Sequence, residues 1–270
     1  MCDACVMNAV KRKMLSRRDL MRGTAAMGVA AAAGAAALSA QAQGAGAVHD
    51  LTHTLHEGFP TFFGESQFSA EKLFDFATDG FNLYNLTVNE HTGTHIDAPL
   101  HFSADGTSVD ELPLSQLVAP LCVIDIAARA AENPDAQVTP DDLKAWISQN
   151  GDIPENACVA MHSGWADKVD TDGFRNFDGT AMHFPGFHVE AVQMLMDESS
   201  AASIGVDTLS LDHGPSPDFA VHYAWLPSGR FGIEGLAGLG ALPAAGATIV
   251  IGAPKHRSGT GGPARIFALA

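Results

Sequence analysis

The chain has 270 residues, 46% of them hydrophobic, and its 31 acidic side chains against 15 basic ones give a net charge of −16. That balance excludes nucleic-acid binding, which needs a basic footprint, and is read as a solubility feature. A chain of this length with no internal repeat, linker or charge block is expected to build a single domain around one core.

The N-terminal segment reads as an export signal. Lys11-Arg12-Lys13 leads into Ser16-Arg17-Arg18-Asp19-Leu20-Met21, and an uncharged Ala-rich run follows from Thr24 to Ala40. The paired arginines and the weak hydropathy of that run point to twin-arginine translocation rather than a membrane span, and Ala40-Gln41-Ala42 supplies a small-x-small cleavage pattern. The expectation is a signal over residues 1–42, a domain over residues 43–270, a periplasmic or secreted location, and the twin-arginine translocase as export partner. Before residue 43 lie 6 of the 15 basic and 2 of the 31 acidic residues, so the remainder carries 9 against 29, a net charge of −20. The Cys2-x-x-Cys5 pair falls in the segment to be discarded. Cys122 and Cys158 sit in apolar strand-like runs and are expected to be buried thiols, with the adjacency of their strands left open.

Downstream, Tyr84, Leu86 and Val88 alternate with Asn85, Thr87 and Asn89, predicting a half-buried strand that His91 continues on its polar face. Then comes His91-Thr-Gly-Thr-His95-Ile-Asp97-Ala-Pro-Leu-His101-Phe, which places three imidazoles and a carboxylate within eleven residues. Gly93 makes an uninterrupted helix there unfavourable, so a turn at residues 92–94 is expected to bring His91, His95 and Asp97 to one side. Apolar β-branched runs at 121–126, 157–161, 202–209, 248–251 and 265–269 predict central strands. Thr139-Pro-Asp-Asp predicts a capped helix start, and residues 189–196 continue at helical spacing, with Met194 and Met196 assigned to the core. The alternation indicates an α/β class, a layered sheet with outer helices in a single domain.

Imidazole and carboxylate suit borderline divalent metals, and three protein ligands leave a position open for water or substrate. Such an ion lowers the pKa of water from 15.7 to about 7 and polarises a carbonyl. His101, just beyond the three ligands, is placed to carry a proton. Two His with one carboxylate is also the facial triad of non-haem iron oxygenases. Export and acidity suggest a third reading, a non-catalytic periplasmic metal or solute binder.

The His-x-Gly-Thr-His-x-Asp-x-Pro-x-His-Phe pattern resembles the signature of the cyclase family of metal hydrolases, which includes bacterial kynurenine formamidases and isatin hydrolases. The resemblance extends from Asp50-Leu-Thr-His-Thr-Leu through Ser163-Gly-Trp165 and Gly205-Val-Asp207-Thr to His222 and Gly232-Ile-Glu234-Gly-Leu. It implies a swivelling β/β/α fold, and hydrolysis of the C–N bond of a small amide or lactam, or of an ester. It also implies zinc or manganese as one or two ions per subunit, and a homo-oligomer. His91, His95 and Asp97 would hold a first metal, Asp97 would bridge to a second held by His222 and Glu234, and His101 would accept and return the proton.

Where family members resembling kynurenine formamidase have Pro-x-Trp-Pro-Gly-Asp, this chain reads Pro60-Thr-Phe62-Phe63-Gly64-Glu65. Phe62 and Phe63 are expected to offer the aromatic face instead, and the lost indole makes an isatin-type substrate as good a fit as formylkynurenine. His53, Trp165, Asp207 and His213 complete the expected substrate-binding set. Asp207, Asp212 and His213 are included in that neighbourhood because they follow the strand ending near Leu209, where α/β proteins place ligand contacts.

Overall fold

The computed structural model describes residues 46–270; the segment expected to be an export signal, with Cys2 and Cys5 and the expected cleavage site, lies outside the described residues. Thirteen strands are formed: β1 Val48–Asp50, β2 Phe68–Phe74, β3 Leu83–Val88, β4 His95–Asp97, β5 Val118–Asp125, β6 Gln137–Val138, β7 Cys158–His162, β8 Gly186–Phe187, β9 Ser203–Val206, β10 Phe231–Glu234, β11 Ala247–Gly252, β12 Gly261–Pro263 and β13 Arg265–Leu269. Nine of them make one mixed sheet in the order β1-β13-β11-β5-β7-β9-β10-β4-β12. Its centre, β5, β7, β9 and β10, is parallel. β11, β13 and β1 continue antiparallel on one flank, β4 and β12 on the other. Leu51, just after β1, donates to the Ile266 carbonyl of β13 and accepts from Ala237 N, just after β10, each at 2.9 Å, which draws that flank back toward β10 as the sheet curls.

The central strands are apolar on both faces, as strands buried on both sides must be. Leu121, Val123, Cys158 and Ala160 turn inside the curl, where they meet Ile96, Ile233, Ile249 and Ile266. Cys122, Ile124, Val159 and Met161 alternate to the other face and are covered by helices. These are α1 Ala127–Glu132, α2 Pro140–Asn150, α3 Val189–Glu198 and α4 Ala220–Trp225. Cys122 and Cys158 therefore occupy adjacent strands but opposite faces of the sheet, and both are free thiols. Burial pushes each of them up to about 12.

Helix α2 starts where the sequence puts it. The Thr139 N–H and hydroxyl both donate to Asp142 Oδ2, at 2.7 and 2.8 Å, and Pro140 occupies the first helical position. Leu143 and Trp146 of α2, Val192 and Leu195 of α3, and Trp225 of α4 supply the buried faces.

One expectation needs correction. β3 forms where the alternation predicts it, but it pairs with β2 in a separate two-stranded sheet, and all six of its residues are exposed rather than half-buried. A period of two identifies a strand and not what covers it. His91 likewise reaches the site from the bend between β3 and β4, not as a continuation of β3.

Candidate metal centre

The site is built on β4. Alternation along this strand turns His95 and Asp97 to one face and sends Ile96, fully buried, to the core on the other. Ahead of it the chain bends over residues 90–94 with Gly93 at φ +71, the left-handed region that glycine reaches without strain, and this returns His91 to Asp97. His91 Nδ1 lies 2.7 Å from Asp97 Oδ1.

The antiparallel register sets Glu234 of β10 directly opposite His95. His95 Nε2 then lies 3.3 Å from Glu234 Oε2 and 3.4 Å from Asp97 Oδ1. Its other ring nitrogen, Nδ1, is 3.0 Å from the Gly93 carbonyl and donates to it, which leaves Nε2 to face the carboxylates. His222 arrives from the middle of α4. Asp212 accepts from Val221 N, His222 N and His222 Nδ1, the last at 2.6 Å, so one carboxylate both caps the helix and orients the ring. His222 Nε2 is thereby held 3.2 Å from Glu234 Oε1 and 3.5 Å from Asp97 Oδ2. Glu234 Oε1 also accepts from Leu211 N.

The electrostatics describe a centre that attracts cations. Burial alone would depress His95, but its contacts with Asp97 and Glu234 outweigh this and raise it to about 10. Burial would raise Asp97, yet His222, His91 and His95 hold it well below the usual carboxylate range. His95 Nε2 and Asp97 Oδ2 are buried without a hydrogen-bond partner. Imidazole nitrogens and carboxylate oxygens converging on orphaned polar atoms match the donor set of a divalent transition metal. The residues present fit such an ion.

Two triads have donor atoms within 4.8 Å of one another, His91-Asp97-His101 and His95-Asp97-Glu234. Asp97 is common to both. The cross-strand register of β4 and β10 brings Glu234 to His95, and His222 Nε2 faces the same two carboxylates, Asp97 and Glu234.

His101 lies on a 3-10 turn, Pro99–Phe102, and stacks on His91 with ring centroids 3.8 Å apart and planes 19° apart. Burial pushes it down to about 4 even with the Asp97 carboxylate nearby, so it is a neutral imidazole at pH 7. A cavity of about 350 Å³ opens above these groups, walled by Phe62, Phe63, Phe102, Phe174, Leu209 and Phe219. Among the described residues lining it there is no Lys or Arg, and its one carboxylate is Glu234.

The protein is assigned to a family by its likeness to known sequences and folds. The Cyclase family model matches residues 49–213. An isatin hydrolase from Roseibium aggregatum is 34% identical over 210 residues, spanning 73% of this chain and 79% of the relative. The chain belongs to the cyclase family. A kynurenine formamidase from Salinibacter ruber is 28% identical over 158 residues, 57% of this chain and 65% of that one. In structure, isatin hydrolase A from Labrenzia aggregata, bound to benzyl benzoate, superimposes with a TM-score of 0.80 at 35% identity, covering 85% of this chain and 96% of that one. The curled mixed sheet with outer helices is the cyclase-family fold expected from the signature.

Of the expected substrate-binding residues, Phe62 and Phe63 line the cavity; His53, Trp165, Asp207 and His213 do not. The ring of His53 packs between Phe59 and Phe174, and the His53 backbone N–H donates to Thr94 Oγ1. Trp165 is 1% exposed and spends its indole N–H on the Phe174 carbonyl. Asp207 accepts from the N–H and hydroxyl of Ser163 and from Trp165 N, tying the β7 exit to β9. The backbone of His213 is packed against Gly186, whose site has no room for a Cβ. A position at the carboxyl end of a strand does not distinguish a ligand contact from a loop tether. Sequence reasoning missed Phe102, whose ring is 4.7 Å from that of His222, as well as Phe219, Glu90 and Thr260. Phe102 was visible as the last residue of the motif; nothing local marks the others.

Proposed function

We propose that this chain is a metal-dependent hydrolase cleaving the C–N bond of a small, uncharged aromatic amide or lactam, with an isatin-type ring amide as the preferred substrate. The carrying observation is that His91, His95, His222 and Glu234, gathered around the buried Asp97, line a cavity that also carries five phenylalanines. A divalent ion held by these residues supplies a Lewis acid and acidifies a water molecule. His101, uncharged beside them, takes the proton from the attacking water at an imidazole nitrogen and returns it to the departing nitrogen, which leaves poorly unless protonated. The phenylalanines hold a flat ring and exclude water from it. Among the described residues, no Lys or Arg lines the cavity to hold the carboxylate of an amino-acid tail, which favours a ring amide over formylkynurenine. The relatives are hydrolases, which disfavours both the iron-oxygenase reading and a binding protein without turnover.

The finer readings rest on chemistry alone. Zinc and manganese both accept this donor set, as one or two ions sharing Asp97. Residues 1–42 are read as a twin-arginine signal delivering a folded domain of residues 43–270 to the periplasm or beyond. The β2–β3 hairpin exposes Leu73, Tyr84, Leu86 and Val88, a surface suited to a second copy of the chain in a homo-oligomer.

The test is a hydrolysis screen of isatin, N-formylkynurenine and N-formylaniline on metal-loaded protein, with elemental analysis of the same sample. Ring opening of isatin faster than deformylation of formylkynurenine is expected. Fully metal-loaded protein inert towards all three would overturn the proposal.

A further inference from the structure

We infer that Thr260, Glu90 and His256 form a hydrogen-bonded chain that fixes the tautomer of His91 and so makes its Nδ1 a metal ligand. This rests on the metal-centre reading above, and it assigns a positioning role to three residues outside the motif.

His91 Nε2 is 2.9 Å from Thr260 Oγ1, and the Thr260 hydroxyl donates to Glu90 Oε2. The other oxygen, Glu90 Oε1, accepts from His256 Nε2 at 2.6 Å, and His256 is partly exposed at the surface. A carboxylate only accepts, so the single hydroxyl proton of Thr260 is committed to Glu90. The oxygen of that hydroxyl can then only accept from His91, which places the proton on Nε2. His91 Nδ1 is thereby directed at Asp97 Oδ1, 2.7 Å away. At that distance a proton or a metal cation lies between the nitrogen and the carboxylate oxygen, and with Nε2 committed to Thr260, Nδ1 is the ring nitrogen left to exchange its proton for a metal. The chain of hydrogen bonds therefore keeps Nδ1, and not Nε2, turned to the metal centre.

The surroundings are shaped for this. Gly261 follows Thr260, and a Cβ there would lie 2.2 Å from the Ile96 carbonyl oxygen and 2.8 Å from His91 Cε1, so glycine lets this strand approach both β4 and the ring. The Thr260 backbone is anchored independently of its hydroxyl. Its N–H donates to Glu90, and its carbonyl accepts from Ala98 N at 2.8 Å. Removing the hydroxyl alone should thus break the chain and leave the fold in place.

The test uses Thr260→Val, close in shape, and Thr260→Ser, which keeps the hydroxyl. Each protein is stripped with chelator and titrated calorimetrically with Mn²⁺, and the metal-free thermal midpoint is recorded. Outer partners of a ligating His are worth 10 to 100-fold in metal affinity, so Thr260→Val is expected to weaken Mn²⁺ by about that factor, and Thr260→Ser by no more than about 3-fold, with metal-free midpoints unchanged. Equal affinity of Thr260→Val and wild type, or equal losses in Val and Ser, overturns the assignment while leaving the metal centre intact. Should Thr260→Val lower the metal-free midpoint, Glu90→Gln under the same titration decides, with undiminished affinity counting against the chain. Failure of the wild-type protein to take up Mn²⁺ or Zn²⁺ defeats the metal-centre reading itself, and this assignment with it.

Discussion

Glu234 and His95 face each other across the β10–β4 ladder, with Oε2 and Nε2 3.3 Å apart. Because directly opposed residues share a face, this one register joins a carboxylate to an imidazole far away in the sequence. Glu234→Gln keeps the volume and removes the charge. Metal affinity is expected to fall at least 10-fold, read by calorimetric titration, and hydrolysis to fall with it. In wild type, metal at 100 times its Kd should stabilise the fold by about 2.7 kcal/mol over the chelated protein, visible as a rise in thermal midpoint.

His101→Gln separates proton transfer from metal binding. Turnover should drop about 10² to 10⁴-fold with metal content unchanged by elemental analysis. Loss of the metal along with activity would instead make His101 a ligand, which its place in the His91-Asp97-His101 triad makes a real alternative outcome.

Phe219 stands at φ 53, ψ 42 just before α4, a left-handed conformation that is rare for a bulky side chain. Its ring packs near those of Phe62 and Phe102 over the cavity. Phe219→Gly removes both ring and strain, whereas Phe219→Ala removes only the ring, so chemical denaturation should find the Ala variant about 1 kcal/mol less stable than the Gly variant. Both should raise kcat/KM for N-substituted, bulkier ring amides relative to isatin.

The His162 and Asp207 pair, Nδ1 to Oδ2 3.6 Å, should give stability a pH dependence remote from the metal. The Asp207 carboxylate beside it raises His162 above its unfolded value near 6.5. A raised imidazole stabilises the fold fully below that unfolded value and loses the contribution as pH climbs through the folded one. His162→Gln should therefore cost more stability at pH 5.5 than at pH 9 in denaturant titrations. An equal cost at both would refute the pairing.

Leu86 is 62% exposed on the β3 face of the hairpin. If that face meets a second copy, Leu86→Asp should shift the sedimentation behaviour toward monomer while the circular dichroism stays unchanged. A wild type that sediments as monomer removes the homo-oligomer from the proposal.

What could be read from sequence divides along the range of the interactions. His91, His95, Asp97 and His101 were legible because one turn and one three-residue strand bring them together. The runs that became β5, β7 and β9 were legible because burial on both faces leaves an apolar signature, β11 and β13 because they stay apolar although alternate residues are only partly covered, and α2 because Thr139, Pro140 and Asp142 form a local cap. Glu234 and His222 came only through resemblance, since their approach depends on a strand register and on Asp212 orienting a helix residue. Thr260 was invisible for the same reason: its contact with Glu90 and His91 exists only once β12 lies beside β4. Trp165 and Asp207 were misassigned because a buried tether and a ligand contact use the same residue types.

β4 is hydrogen-bonded along both edges, to β10 and to β12, and Ile96, between His95 and Asp97, is sealed in the core. Parting His95 from Asp97 would mean unzipping two ladders and exhuming Ile96, an event on the scale of global unfolding rather than of local breathing. The pairing of His95 with Asp97 is thus as durable as the whole molecule, and whatever plasticity substrate entry demands must come from elsewhere around the cavity, as at the exposed Phe63.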